Sequence, residues 1–206
     1  MSVASVSSIA ERTVMASNEP LWRLSVEQYH RMIQAGILTE DDPIELLEGL
    51  LVPKMIKSPR HCGATRLVRR ALERLVPDGW CVDVQDPVTL EDSEPEPDVS
   101  VTLTDRAQSP DRHPSAAEVG LVVEVSDASL SADRNRKKRV YARAGVPIYW
   151  IVNLVSDRVE VYSQPSGPAE SPAYDHREDY VVGEEVPLVL DAREIGRIAV
   201  GDLLPS

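Results

Sequence analysis

The most constraining feature of the sequence is an apolar segment, VGLVVEV at 119–125, which contains a single acidic residue, Glu124. A run this apolar is typical of a central strand that is buried on both faces of a sheet. A basic segment at 132–145 follows it and ends at Gly145, as helices commonly do. The next segment, 148–154, is apolar again. Strand, helix and returning strand together predict a right-handed crossover unit with two parallel strands.

The segments around this unit predict shorter elements. Ser25 and Gln28 form a capping-box pattern at the start of a helix that ends at Gly36, and a second helix is predicted from His61 to Val76. Further strands are predicted at 44–52, 80–84, 87–90, 98–103 and 157–163. The segment 164–176 is interpreted as a mobile loop, and the remainder as edge strands with a closing turn. The predicted fold class is α/β, or α+β by some definitions, with a mixed central sheet flanked by helices.

Length and composition favour a single domain. Of the 206 residues, 42 % are hydrophobic and 27 % are charged, as in ordinary soluble proteins. We interpret residues 1–20, which are rich in Ser and Ala, as a disordered leader in which Met15 is an alternative start, and residues 21–206 as one domain. No segment reaches the roughly 20 apolar residues needed to cross a membrane, and the N-terminus does not resemble a secretion signal. We therefore predict a cytoplasmic protein, with Cys62 and Cys81 as buried free thiols.

The charge distribution is uneven. A formal net charge of −12 argues against a protein that coats nucleic acid, because such binding depends on Lys and Arg neutralising phosphates. However, four of the 22 Lys and Arg lie in 66–74 and six lie in 134–143. These segments are either basic faces that hold a phosphate backbone or ordinary solvated helix surfaces, and charge alone does not separate the two.

Two acidic residues are the main candidates for chemistry. Asp98 follows the rigid sequence EPEP at 94–97 and opens a predicted strand, while Glu124 lies within an apolar one. An ionised carboxylate in such a strand is costly unless a cation or a hydrogen-bond donor meets it. Asp98 alone fits a turn residue, and Glu124 alone fits a buried pair with an arginine. Together on neighbouring strands they favour a divalent cation, for which Mg²⁺ is the usual occupant of oxygen sites.

The sequence resembles a known family. EPEPDVSV at 94–101 and LVVEVSDASLSADRNRKKRVYARAGVPIYWIVNL at 121–154 are similar to a large bacterial branch of the PD-(D/E)xK nuclease superfamily described as restriction endonucleases. The segments 25–36 and 44–52 also fit that branch. The similarity extends from Leu24 to the C-terminus and is strongest over 94–154. It implies a restriction endonuclease-like fold and a Mg²⁺-dependent nuclease, with Mn²⁺ as a substitute metal.

The resemblance also implies roles for individual residues. Asp98 and Glu124 would bind the metal, and a lysine two residues after the glutamate would orient the attacking water. Ser126 stands at that position, and in the similar branch the lysine lies on the following helix, where Lys137 matches it. Helical spacing places Lys137 on the sheet-facing side and Lys138 about 100° away. The alternative is that Lys137 is a surface lysine.

Further site residues are candidates only. A third acidic metal ligand is implied in the segment 44–52, where the resemblance favours Glu45, and Glu48 is the alternative because the two would point to opposite faces of a strand. His61, Gln85 and Arg134 are candidates for contacting substrate.

The sequence thus predicts a metal-dependent endonuclease that hydrolyses phosphodiester bonds in DNA. A homodimer is expected only because cleavage of two strands would need two sites. One alternative is a non-catalytic binding or assembly module that keeps the nuclease fold. Another is a phosphodiesterase that acts on a small nucleotide, which the net charge of −12 would suit. No helix-turn-helix or zinc module is visible in the sequence, so no carrier of sequence-specific recognition is predicted.

Overall fold

A computed structural model describes residues 21–39, 41–104 and 112–205. The predicted leader, 1–20, lies outside the described residues. Residues 40, 105–111 and 206 also lie outside the described residues.

The chain begins with a capped helix and a short hairpin. In helix α1 (Val26–Gln34), the Ser25 side chain accepts a hydrogen bond from the Gln28 backbone, and the Gln28 side chain accepts one from the Ser25 backbone, as predicted. Strands β1 (Ile44–Leu47) and β2 (Leu50–Pro53) then pair antiparallel.

The prediction of one continuous strand over 44–52 is wrong. Glu48 and Gly49 form a turn with positive φ of 53° and 73°. A side chain on Gly49 would bring its Cβ within 2.7 Å of the Arg23 Cβ, so the turn requires glycine for space as well as for backbone conformation.

Helix α2 (Pro59–Glu73) follows the hairpin, and the Ser58 side chain caps it by accepting a hydrogen bond from the His61 backbone. Its buried side includes Ala64, Val68, Ala71 and Leu72, which recur at helical spacing. The observed helix begins two residues before the predicted one and ends three residues earlier.

A central sheet of six strands organises the fold, and it is mixed, as predicted. Its order is β3 (Trp80–Asp83), β4 (Val99–Leu103), β5 (Val119–Ser126), β6 (Ile148–Asn153), β7 (Arg158–Pro165) and β8 (Tyr174–Val181). β5 and β6 pair in parallel, and the other neighbouring strands pair antiparallel. Every residue of β5 is buried, so this strand has the two-sided burial that its apolar sequence predicts.

The connection between β5 and β6 is helical but not uniform. It comprises α3 (Leu130–Ala132), a π-helical turn (Asp133–Lys137) and α4 (Lys138–Ala144). In the π turn, the Lys138 backbone N–H reaches the Asp133 carbonyl, five residues back. Gly145 ends α4 in the left-handed conformation with φ of 76°. The sequence predicted the helix and its end, but not the π turn.

The C-terminal part adds strands β9 (Glu185–Leu190) and β10 (Arg193–Ala199), which pair antiparallel, and a closing 3₁₀ turn (Val200–Leu203). The interpretation of 164–176 as one mobile loop is wrong at both ends, because β7 extends to Pro165 and β8 begins at Tyr174. The strand predicted at 87–90 is also wrong, since only Thr89 forms a bridge, to Ser115.

The apolar core has one part on each face of the sheet. On one face, α2, β9, β10 and the closing turn cover Val99, Leu121, Val123 and Trp150. On the other face, α4 packs with Val140 and Tyr141 on Val122, Tyr149 and Ile151. Cys62 and Cys81 are free thiols, as predicted, but they are half-buried rather than buried. Within the described ranges, no helix is long and apolar enough to span a membrane.

Candidate active site

A cleft of about 660 Å³ lies between the β1–β2 hairpin, the start of α2 and the helical segment 130–144. Its acidic lining residues are Glu45, Glu96, Asp98, Asp127 and Asp133, and its basic ones are Lys54, Lys57, His61, Arg136, Lys137 and Arg139. Such a dense mixture of charges at one depression is typical of a site for chemistry or for a charged ligand.

Lys137 lies at the centre of the acidic group. Its Nζ donates to Glu124 Oε1 at 2.9 Å and lies 3.4 Å from Glu45 Oε2. The Tyr141 hydroxyl also donates to Glu124 Oε1, at 2.8 Å. Glu124 lies two residues before the end of β5, Glu45 lies in β1, and Lys137 is the last residue of the π turn. The fold therefore brings together three residues that the sequence analysis singled out.

Asp98 immediately precedes β4, which pairs with β5, so Asp98 lies beside the end of the strand that carries Glu124. Its Oδ2 accepts a hydrogen bond from the Val125 backbone at 2.9 Å. The same oxygen lies 2.9 Å from His61 Nε2, and Oδ1 lies 3.7 Å from Lys57 Nζ. Since an ionised carboxylate can only accept, the imidazole donates in this contact. Backbone and helix together fix the position of this carboxylate.

A fourth carboxylate, Asp133, belongs to the same cluster and was not predicted. It is 3 % exposed, lines the cleft, and accepts a hydrogen bond from the Ser126 hydroxyl at 2.7 Å. The available signal was its spacing, since Asp133 stands four residues before Lys137 and residues four apart share a helix face. Ser126 itself has no exposed surface.

Burial and mutual repulsion control the protonation of the cluster. Burial raises the pKa of Glu124 well above its usual range, and the Lys137 charge opposes that rise. Burial also raises the pKa of Asp133, and the Lys137 charge again opposes the rise. For Lys137, burial would lower the pKa, but the charges of Glu124, Glu45 and Asp133 prevail and raise it. Lys137 is therefore a protonated ammonium that holds the acidic residues together.

Asp98 behaves differently from the other acidic residues. Burial would raise its pKa, but the hydrogen bond and charge of His61 and the Val125 backbone hydrogen bond lower it overall. The cluster thus contains one acidic residue that ionises readily and two that ionise reluctantly. An additional cation would favour the ionised form of all of them.

The donor chemistry of the cluster suits a hard cation. Among the described residues, none donates a hydrogen bond to Glu45 Oε1, Asp98 Oδ1 or Glu124 Oε2, and the Lys57 ammonium lies 3.7 Å from Asp98 Oδ1. Carboxylate oxygens are the ligands that Mg²⁺ prefers. In this arrangement, however, the described ranges contain no group of three or more His, Cys, Asp or Glu side chains that are placed to hold a metal ion. The Lys137 ammonium lies between Glu124 and Glu45 instead.

Glu48 is not part of this cluster. It lies in the β1–β2 turn, where its carboxylate accepts two hydrogen bonds from Arg139, at 2.8 and 2.6 Å, and one from Arg143 at 3.0 Å. Arg143 also donates to Asp92 at 2.8 Å. The expectation that Glu45 and Glu48 point to opposite faces of one strand is wrong, because Glu48 lies in the turn that follows β1. Glu45 remains the candidate ligand, and Glu48 joins the hairpin to α4.

The three candidate substrate residues have different positions. His61 lines the cleft and is 7 % exposed, and its Nδ1 is buried without a hydrogen-bond partner among the described residues. Gln85 is exposed, has a positive φ of 59°, and does not line the cleft. Arg134 also lies outside the lining, because its guanidinium donates to Glu160, which is fully buried in β7.

Comparisons with known proteins agree with this fold. The structure is similar to a crystal structure described as a "putative nuclease belonging to DUF820" from Anabaena variabilis, with a TM-score of 0.63 at 15 % identity. The match covers 87 % of this chain and 97 % of the other, so the domain has a nuclease-like α/β fold. The family model Uma2, described as "Putative restriction endonuclease", matches residues 26–193, and the chain belongs to this family. No curated protein sequence matches the chain.

Proposed function

We propose that this protein is a metal-dependent endonuclease that hydrolyses phosphodiester bonds in DNA. The observation that carries the proposal is the Lys137 ammonium, 2.9 Å from Glu124 and 3.4 Å from Glu45, in a cleft that Asp98 also lines. Membership of a family described as restriction endonucleases supports the same activity.

Mg²⁺, or Mn²⁺ in its place, would be held by Asp98, Glu124 and Glu45. The support is that each of these carboxylates keeps one oxygen that accepts no hydrogen bond from a described residue. When bound, the ion would lower the pKa of its water from 15.7 toward about 7 and stabilise the negative charge that develops on the phosphate.

Lys137 would orient the attacking water and stabilise the negative charge of the phosphate. A role as general base is disfavoured because the surrounding carboxylates raise the lysine pKa, so the side chain has no free electron pair to take up a proton. His61 would hold Asp98 in place through the 2.9 Å contact to its Oδ2.

Arg136 would contact the substrate backbone. It lines the cleft and makes no ion pair with any residue of the described ranges. The geometry does not support the substrate contacts proposed for Gln85 and Arg134, since both lie outside the cleft lining.

A phosphodiesterase that acts on a small nucleotide is the second candidate. The cleft of about 660 Å³ falls within the range of small-ligand pockets. The net charge of −12 also disfavours tight binding to long DNA.

The test compares cleavage of supercoiled plasmid, linear duplex, single-stranded DNA and a dinucleotide in Mg²⁺, Mn²⁺ and EDTA. The proposal expects metal-dependent cleavage of DNA that Asp98→Asn abolishes, with Asp202→Asn, an exposed residue, as the control. Cleavage of the dinucleotide alone would establish the second candidate. Sedimentation of the protein with and without DNA tests the expected homodimer.

Absence of cleavage with every metal and substrate would favour the non-catalytic module. In that outcome, calorimetric titration with Mn²⁺ shows whether the carboxylates still bind a cation.

A further inference from the structure

Ser126 occupies the place where the resemblance implies a lysine, and its side chain is nevertheless engaged. The hydroxyl donates to Asp133 Oδ2 at 2.7 Å, and neither residue is more than 3 % exposed. A buried hydrogen bond between a hydroxyl and a carboxylate is costly to break, because the acceptor then stays buried with one donor fewer. This contact therefore joins the end of β5 firmly to the following helical segment.

Asp133 is the first residue of the π turn and Lys137 is its last. The Asp133 carbonyl accepts hydrogen bonds from the Lys138 backbone and from the Tyr149 hydroxyl, the latter at 3.2 Å. Its backbone N–H donates to the Ser129 carbonyl at 3.1 Å. Asp133 is thus fixed by its side chain, its N–H and its carbonyl. Since π turns are uncommon and concentrate at functional sites, such a turn next to the candidate lysine needs a specific cause.

We propose that Asp133, held by Ser126, is a positioning residue that presents the Lys137 ammonium to Glu124 and Glu45. The proposal rests on the proposed function, because it assigns how the lysine of that site is held. This gives Ser126 a role. The related motif has a lysine at this position of the strand, whereas here the serine anchors the π turn that carries Lys137.

Charge attraction between Asp133 and Lys137, which make no direct ion pair, supports this arrangement. The Lys137 charge stabilises the buried Asp133 carboxylate, and the Asp133 charge in turn favours the protonated form of Lys137. Loss of the anchor should let the turn relax toward a regular helix and move the ammonium away from the carboxylates.

The first test uses activity and metal binding. Ser126→Ala is expected to lower kcat about 10- to 100-fold with little change in KM, as loss of a supporting contact typically does. Asp133→Asn should lower kcat similarly and leave the Mn²⁺ affinity within about 3-fold, since a positioning residue does not coordinate the ion. A loss of Mn²⁺ binding in Asp133→Asn would overturn the proposal and make Asp133 a ligand. The control is Ser100→Ala, a buried serine of the neighbouring strand, which should behave like the unaltered protein.

The second test asks whether the effect passes through Lys137. The residual rate of cleavage in Mn²⁺ is measured for Lys137→Ala with and without Ser126→Ala. Adding Ser126→Ala is expected to lower this rate by less than about 2-fold. A full additional loss would mean that the serine acts on the fold in general. The double variant Ser126→Lys/Lys137→Ala, which restores the ordinary motif on β5, should regain part of the activity of Lys137→Ala.

The third test does not depend on activity. The ¹⁵N-labelled ammonium of Lys137 should be visible by NMR, because it is buried and hydrogen-bonded, and Lys137→Ala assigns the signal. We expect Ser126→Ala and Asp133→Asn to shift or broaden it and Ser100→Ala to leave it unchanged. A signal that stays unchanged in both Ser126→Ala and Asp133→Asn overturns the positioning role. A shifted signal in a protein that cleaves nothing would leave the positioning role intact and remove the proposed function.

Discussion

Two segments of this chain are rich in arginine and lysine, and the fold uses them differently. In the segment 66–74, on α2 and at its end, the basic residues Arg66, Arg69, Arg70 and Arg74 are all exposed, and of these four only Arg69 makes an ion pair with a described residue, Glu73, one turn away. In the helical segment 130–144, Arg134, Lys137, Arg139 and Arg143 all pair with carboxylates. Those carboxylates lie on other elements, namely the β1–β2 hairpin, β5, β7 and the loop before β4.

The difference shows that buried acidic residues, and not the number of basic ones, decide how a basic helix is used. Lys138 packs its ammonium 5.1 Å from the centre of the Tyr162 ring. Of the six basic residues in 134–143, Arg136 alone has no ion pair or ring contact with a described residue. The second segment is therefore mostly an internal scaffold around the candidate site, and the first is a solvated surface. Of the two alternatives that the charge distribution leaves open, a solvated helix surface therefore describes the first segment, and neither alternative describes most of the second.

Among substitutions that test the difference between the two basic segments, Lys137→Ala is expected to have the largest effect on activity. Loss of the ammonium should lower kcat for DNA cleavage about 100-fold or more, because a charge that stabilises the transition state is removed. Mn²⁺ should bind at least as tightly as before, since Glu124 and Glu45 lose a competing cation. Cleavage rates and calorimetric titration measure both quantities.

Lys138→Ala is the matched control, because Lys138 is adjacent in sequence and faces Tyr162 instead of the cleft. Its effect on kcat should be less than about 3-fold. Equal losses in the two variants would mean that the basic helix merely attracts DNA.

A second expected effect concerns stability. Arg134→Ala should lower the free energy of unfolding by about 2–3 kcal/mol, because it removes one charged donor from the fully buried Glu160, which Arg177, Asn153 and Tyr162 still contact. Arg66→Ala on α2 is the control and should change it by less than about 0.5 kcal/mol. Urea unfolding curves measure both, and similar values for the two variants would remove the distinction between scaffold and surface.

A third expected effect depends on pH. The Arg139 hydrogen bond lowers the pKa of Glu48 below its ordinary 4.5, so this pair stabilises the fold above that value and loses its contribution as pH falls through the lowered pKa. Glu48→Gln should therefore cost about 2 kcal/mol at pH 7. The difference from the unaltered protein should shrink as the pH is lowered below 4.5. A difference that is constant between pH 7 and pH 3 would show that the charge of Glu48 is not what holds the hairpin to α4.

The smallest effect is expected on α2. Replacing Arg66, Arg70 and Arg74 together by Ala should leave kcat and stability nearly unchanged, because these side chains are exposed and unpaired within the described structure. Any loss should be in DNA affinity at low salt, with the salt slope reduced by about 0.9 for each phosphate contact removed. A large fall in kcat would place α2 in the catalytic machinery and contradict the comparison.

The sequence correctly predicts those elements whose cause lies within a short segment of the chain. The fully apolar β5 sequence, the capping box at Ser25 and the helix end at Gly145 each have a short-range cause, and each is observed. The resemblance led to Glu45, Asp98, Glu124 and Lys137, which the fold brings to one place.

What could not be predicted depends on contacts between distant residues. The β1–β2 turn is held by Ser93, which accepts from the Glu48 backbone at 2.8 Å, and by the Asp92 carbonyl, which accepts from Gly49 at 2.7 Å. The π turn depends on the Ser126–Asp133 contact across the strand–helix junction. Periodicity in a single segment carries no information about such contacts, so it predicts a continuous strand in place of the β1–β2 turn and a regular helix in place of the π turn.

The most direct test of the proposed site is a crystal structure of the protein with Mn²⁺, examined by anomalous scattering at the manganese edge. The account predicts a peak about 2.1 Å from oxygens of Asp98 and Glu124, with Glu45 facing the same ion. No peak in the cleft at saturating Mn²⁺, or a peak held by other residues, would contradict it.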